Sequence, residues 1–112
     1  MKSLIASRFA GEDKRLKNLI KALAEDYGRR EAILLSGDIS RRMRMEYAYL
    51  NSKILDGALE IADARLAPIF IKEIGEGVGY AKSEIDCMSE VTYKNYKTEI
   101  SANIARKLYL WE

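Results

Sequence analysis

Tyr80-Ala81-Lys82-Ser83-Glu84-Ile85-Asp86-Cys87-Met88-Ser89-Glu90-Val91-Thr92-Tyr93-Lys94-Asn95-Tyr96-Lys97 is the stretch on which the reading of this 112-residue chain turns. The part up to Asp86 suits two turns of helix. Cys87-Met88 can then turn, and Ser89 can cap a second helix whose apolar positions Tyr93, Tyr96, Ile100, Ile104 and Leu108 recur at three- and four-residue steps. A short helix, a tight turn and a longer helix are the layout of a helix-turn-helix. In that unit a small residue lets the helices cross, an apolar residue plugs the turn, and a Ser cap offers the second helix's N-terminus to a phosphate or to the major groove. Ser83, Met88 and Ser89 fall at those places.

The second helix also divides into faces. Tyr93, Tyr96 and Ile100 share an inward stripe, which leaves Glu90, Lys94, Asn95 and Lys97 pointing away from it. Lysines hold phosphates, Asn95 has the amide geometry that reads adenine, and Thr92 can meet a backbone oxygen or a thymine methyl. A solvated face of Lys, Asn and Glu is the plainer alternative.

Upstream, punctuation divides the chain into further helices. Leu16, Leu19, Ile20, Leu23, Ala24 and Tyr27 lie on one side of an amphipathic helix over 12–27, with Glu12 and Asp13 at its positive end and Gly28 closing it. Ala32-Ile33-Leu34-Leu35 is too short to type, and Ser36-Gly37-Asp38 supplies a turn. Between Ile39 and Leu66 no Pro and only Gly57 interrupt the chain, so one long helix is expected. Its stripe of Met43, Tyr47, Leu50, Ile54, Gly57 and Ile61 matches a coiled-coil seam that could serve within one molecule or between two. Pro68 marks a new helix start, and Gly75-Glu76-Gly77-Val78-Gly79 ends it without the context of a phosphate loop.

Composition narrows the chemistry. With 48% hydrophobic residues, 32% charged and 1 Pro, the chain can build one core of average domain size. The absence of His and the presence of a single Cys remove Ser-His and Cys-His catalysis, histidine-ligated zinc and an internal disulfide. Cys87 reads as a small hydrophobe of a reducing cytosol. Neither a secretory leader at Met1–Arg8 nor a membrane span is evident, which points to a cytoplasmic protein. The pairs Glu12-Asp13, Glu25-Asp26 and Glu84/Asp86 read as caps or solvated faces rather than as a metal site, and the crowded end Tyr109-Leu110-Trp111 is expected to dock on the domain or a partner.

At the residues 87–97, with Ile100, Ile104-Ala105 and Leu108 behind them, the chain resembles the end of ArpU-type phage transcriptional regulators and, more distantly, region 4 of sigma-70-type sigma factors. The stretch Glu46-Tyr47-Ala48-Tyr49-Leu50-Asn51 with Ile54 and Ala58-Leu59 is similar to the long helix that precedes their DNA-binding unit. Cys87 stands where that family usually has Gly, and Lys82 where an apolar residue is common. The resemblance implies a sequence-specific regulator of phage or prophage type without cofactor or metal. Double-stranded DNA would be its partner, with a second copy of the chain and RNA polymerase as candidate protein partners.

Charge placement qualifies that expectation. The whole chain carries 19 Lys+Arg against 17 Asp+Glu, a net +2. From Lys72 onward, basic residues 72, 82, 94, 97, 106 and 107 face acidic residues 73, 76, 84, 86, 90, 99 and 112, a net of −1. Phosphate neutralisation supplies most non-specific DNA affinity, so Arg41, Arg42 and Arg44 are expected to assist Ser89, Thr92, Lys94, Asn95 and Lys97. The expected architecture is a single all-α domain over 1–112: an amphipathic N-terminal helix and a long central helix over 1–66, then a three-helix unit with the helix-turn-helix over 67–112. A non-catalytic helical interaction or phage assembly module, oligomerising through the long central helix, is the competing reading.

Overall fold

The computed structural model describes residues 4–112; Met1-Lys2-Ser3, the start of the expected leaderless N-terminus, lies outside them. The described residues form an all-α fold without strands: α1 (Leu4–Ala10), α2 (Lys14–Glu25), α3 (Tyr27–Ser36), α4 (Arg41–Leu59), α5 (Ala67–Glu76), a 3₁₀ turn (Tyr80–Lys82) and α6 (Glu90–Lys107). Side chains set several of these boundaries. The Asp13 carboxylate accepts the Arg15 N–H at 2.7 Å and caps α2, Ser40 Oγ accepts the Met43 N–H at 3.2 Å, and Ser89 Oγ accepts the Thr92 N–H at 3.2 Å. Pro68 sits in the first turn of α5, and Gly77 ends that helix at φ 71°, a left-handed geometry that glycine adopts without a side-chain penalty.

Three expected boundaries shift. Gly28 does not close the first amphipathic helix: the break falls at Asp26, and Gly28 lies inside α3, which absorbs the untyped 32–35 run. The long central helix stops at Leu59 instead of Leu66, because Asp63 Oδ1 takes the Arg65 and Leu66 N–H groups at 3.0 and 2.8 Å and turns the chain before α5. The expected two-turn helix over 80–86 is a single 3₁₀ turn. Glu73 and the Ser83 hydroxyl capture the N–H groups of Glu84 and Ile85 at 2.7 and 2.8 Å, so those donors are satisfied without helix. Cys87, expected among apolar neighbours, is exposed in this segment.

The stripe expected to make a coiled-coil seam forms no evident coiled coil among the described residues: Ile54 and Gly57 pack into the core, and Tyr47 meets α3 through Arg29 at 3.4 Å. Two glycines set how closely the helices pack. A Cβ on Gly57 would stand 3.0 Å from the backbone nitrogen of Ile104, which fixes the α4–α6 crossing; one on Gly75 would stand 2.5 Å from the Glu25 Cα, which fixes α2 against α5. α6 is gripped in its second half, where Ala102, Asn103, Ile104 and Ala105 are all buried between α1 and α4. The C-terminus folds back so that Trp111 meets Phe9 edge-on at 5.2 Å and Glu112 pairs with Arg8. Trp111 thus docks as expected, whereas Tyr109 stays exposed at φ 59°.

Gly75→Ala forces α2 and α5 apart at backbone contact, so it is expected to cost about 1–3 kcal/mol. A urea denaturation curve of the variant, with its midpoint lowered at unchanged slope, checks this.

Candidate nucleic-acid interface

The mounting of α6 begins with one buried carboxylate. Glu73, on the inner face of α5, is 2% exposed and accepts three hydrogen bonds: from Ser83 Oγ at 2.6 Å, from the Glu84 N–H at 2.7 Å and from the Tyr93 hydroxyl at 2.7 Å. Burial alone would raise its pKa, but these donors, with Lys97 nearby, hold the carboxyl below the ordinary glutamate value. The same burial, with the Glu73 carboxylate as hydrogen-bond partner, pushes the Tyr93 phenol up to about 12. Tyr80 completes the frame by donating its hydroxyl to the Met88 carbonyl at 2.9 Å, while the half-buried Met88 side chain packs against the core. Aromatic rings fill the remaining space: Phe70 stacks on Tyr93 at 5.6 Å and lies 5.8 Å from Tyr96.

On this mount the nominated residues take different positions. Ser89 is committed to the cap and also bonds Thr92 Oγ1 at 3.0 Å. Lys94 is exposed and pairs with Glu90 at 2.7 Å, and Asn95 is half-buried. Lys97 borders the same face, but its ammonium is engaged: it reaches the Val78 carbonyl at 2.6 Å and lies 5.2 Å from the Tyr93 ring, and burial lowers its pKa against the opposing pull of Glu73. A shallow depression on α6 is lined by Val91, Lys94, Asn95, Lys97 and Thr98.

The arginine cluster lies at the start of α4. Arg41 and Arg42 are exposed, Arg42 pairs with Glu46 at 3.2 Å, and Arg44 donates to the Leu34 carbonyl at 3.2 Å. α4 meets α6 at Gly57, which places Arg44 roughly 20 Å along the helix from that crossing.

One polar cluster was not read from the sequence. Arg30, 3% exposed, donates to Asn51 Oδ1 at 2.6 Å, Asp26 at 3.0 Å and the Leu23 carbonyl at 2.5 Å, while Asn51 Nδ2 donates to the Tyr27 carbonyl at 3.1 Å and to Glu31 at 2.9 Å. It pins the base of the α3–α4 hairpin. Beyond that base no residue from Glu31 to Leu50 is buried. Among the described residues no group of three or more Asp, Glu, Cys or His side chains is placed to hold a metal ion, and no helix is long and apolar enough to cross a membrane.

Because the Glu73 carboxyl is held below its unfolded value of 4.5, its contribution to stability is present above that pH and is lost as pH falls through the depressed value. Glu73→Gln opposes an amide N–H₂ to donors and is expected to cost about 1–3 kcal/mol at neutral pH. Unfolding followed from pH 7 down to pH 3 is expected to show a smaller loss of stability in the variant than in the parent chain.

No protein-family model, no curated protein and no solved structure gives a significant match to the chain.

Proposed function

We propose that the chain is a non-catalytic DNA-binding protein of transcriptional-regulator type that offers the first two turns of α6 to the major groove. One observation carries the reading. Tyr93 roots those turns in the core, while Ser89, Glu90, Val91 and Lys94 around it are exposed. A helix held by an inward side chain and presented by its capped end suits recognition, since its leading N–H groups favour a phosphate and its first side chains can reach base edges. In this reading the 3₁₀ turn and the 83–88 segment take the place of the first helix and turn of a helix-turn-helix.

Lys94 supplies the phosphate contact. Its pair with Glu90 is exposed on both sides and such pairs are worth about 0–1 kcal/mol, so a phosphate can displace the glutamate. Thr92 and Asn95 supply groove chemistry. The Lys97 ammonium is engaged by the Val78 carbonyl and the Tyr93 ring, so the affinity that a second lysine would give falls to Arg41 and Arg42. The sequence holds no His, which leaves hydrolytic chemistry without its commonest base.

Titration of a fluorescent DNA duplex across a salt series tests the reading. Lys94→Ala and the Arg41→Ala/Arg42→Ala pair are each expected to weaken binding and to flatten the dependence of log K on log salt by about one for each lost phosphate contact. A parent chain without duplex affinity at low salt, or one indifferent to both changes, overturns it.

A further inference from the structure

We propose that the outward face of α4 is a self-association surface on which a second copy of this chain docks antiparallel, about a two-fold axis beside Tyr49. α4 turns Ile54, Gly57 and Ala58 into the core. At the helical period, Arg42, Met45, Glu46, Tyr49, Ser52, Lys53 and Asp56 share another side, at whose C-terminal end Lys53 borders a cleft with Arg106 and Lys107 of α6 and Asp56 lies near enough to Lys107 to act on its charge. Its centre is apolar and uncovered, with Met45 64% and Tyr49 51% exposed.

The charges along this face identify the occupant. They run Arg42, Glu46, Lys53, Asp56, and the sign order reverses about the middle of the stripe. Folding the stripe back on itself at Tyr49 sets Arg42 opposite Asp56 of the second copy, and Glu46 within reach of Lys53 of the second copy. A parallel in-register pairing would instead set each charge against its like. A two-fold interface must be complementary to itself, residue i meeting j and j meeting i, and this pattern meets that condition for the antiparallel arrangement. The groups are already poised on the face: Arg42 pairs with Glu46 at 3.2 Å, and the Lys53 ammonium lies 5.4 Å from the Tyr49 ring. Burial of Met45 and Tyr49 supplies the apolar contribution and the charges fix the direction. One helix per partner is a small interface, so the dimer is expected to be concentration-dependent. The inference stands on α4 alone and needs no DNA; Arg42 cannot hold a phosphate and Asp56 of the second copy at once, so duplex and dimer compete for that residue.

Sedimentation equilibrium over a concentration series tests it. The parent chain is expected to show a monomer–dimer equilibrium, and Arg42→Glu or Asp56→Arg alone to raise the dissociation constant about tenfold, the effect of 1.4 kcal/mol. The double variant R42E/D56R is expected to restore it. Positions 42 and 56 lie about 21 Å apart along one helix, so rescue cannot arise within a single chain. Circular dichroism confirms that each variant keeps its helices. A parent chain that stays monomeric to millimolar concentration, a dimer indifferent to either single change, or a double variant no better than the singles overturns the proposal.

Discussion

The buried Glu73 carboxylate is the constraint on which the C-terminal half depends. A charge at that depth is tolerated only when donors surround it, and here three donors come from two places: the Ser83 hydroxyl and Glu84 N–H of the irregular segment, and the Tyr93 hydroxyl of α6. The requirement to satisfy one carboxylate therefore ties a loop and a helix to α5. It also explains why the 83–85 backbone leaves helical geometry, and why Lys97 folds inward to bring a compensating charge near. The face that α6 turns to solvent is what remains once that demand is met.

Close approach at glycine orders the rest. Gly75 lets α2 lie on α5 and Gly57 lets α4 lie on α6, so both crossings are set by backbone rather than by adaptable side chains. Because α4 is fixed in rotation at Gly57 and again at Asn51 through Arg30, the side it turns outward is fixed as well. Met45 and Tyr49 point away from the core for that reason.

Local chemistry was the legible part of the sequence. Pro68 at the start of α5, Gly77 at its end, Asp13 and Ser89 as caps, and the buried stripe Tyr93 and Ile100 all act on neighbours within a turn or so, which is the range that spacing and residue type report. What was not legible depends on partners far along the chain. Ser83 bonds Glu73 ten residues away and Lys97 reaches Val78 nineteen away, so a pattern that suits helix at 80–86, and one that suits a solvent-facing lysine at 97, are both overridden by tertiary contacts. Arg30 carried the least warning: in sequence it is half of an Arg-Arg pair beside Glu31, and only the approach of Asn51 from α4 makes it a core residue. Exposure of Lys94 was foreseeable from the faces of α6, whereas the engagement of the Lys97 ammonium by Val78 was not.

The uneven burial of α6 implies an uneven hold on its own hydrogen bonds. From Ala102 to Ala105 the helix is enclosed on several sides, so those amides exchange with solvent only when the domain opens as a whole. Between Ser89 and Val91 the backbone is held by one hydroxyl cap and by Tyr93 below it, and opening there needs only local fraying. A single helix thus combines an enclosed stretch of backbone with an exposed one. Its free end can adjust to what it meets while its other end keeps the architecture fixed.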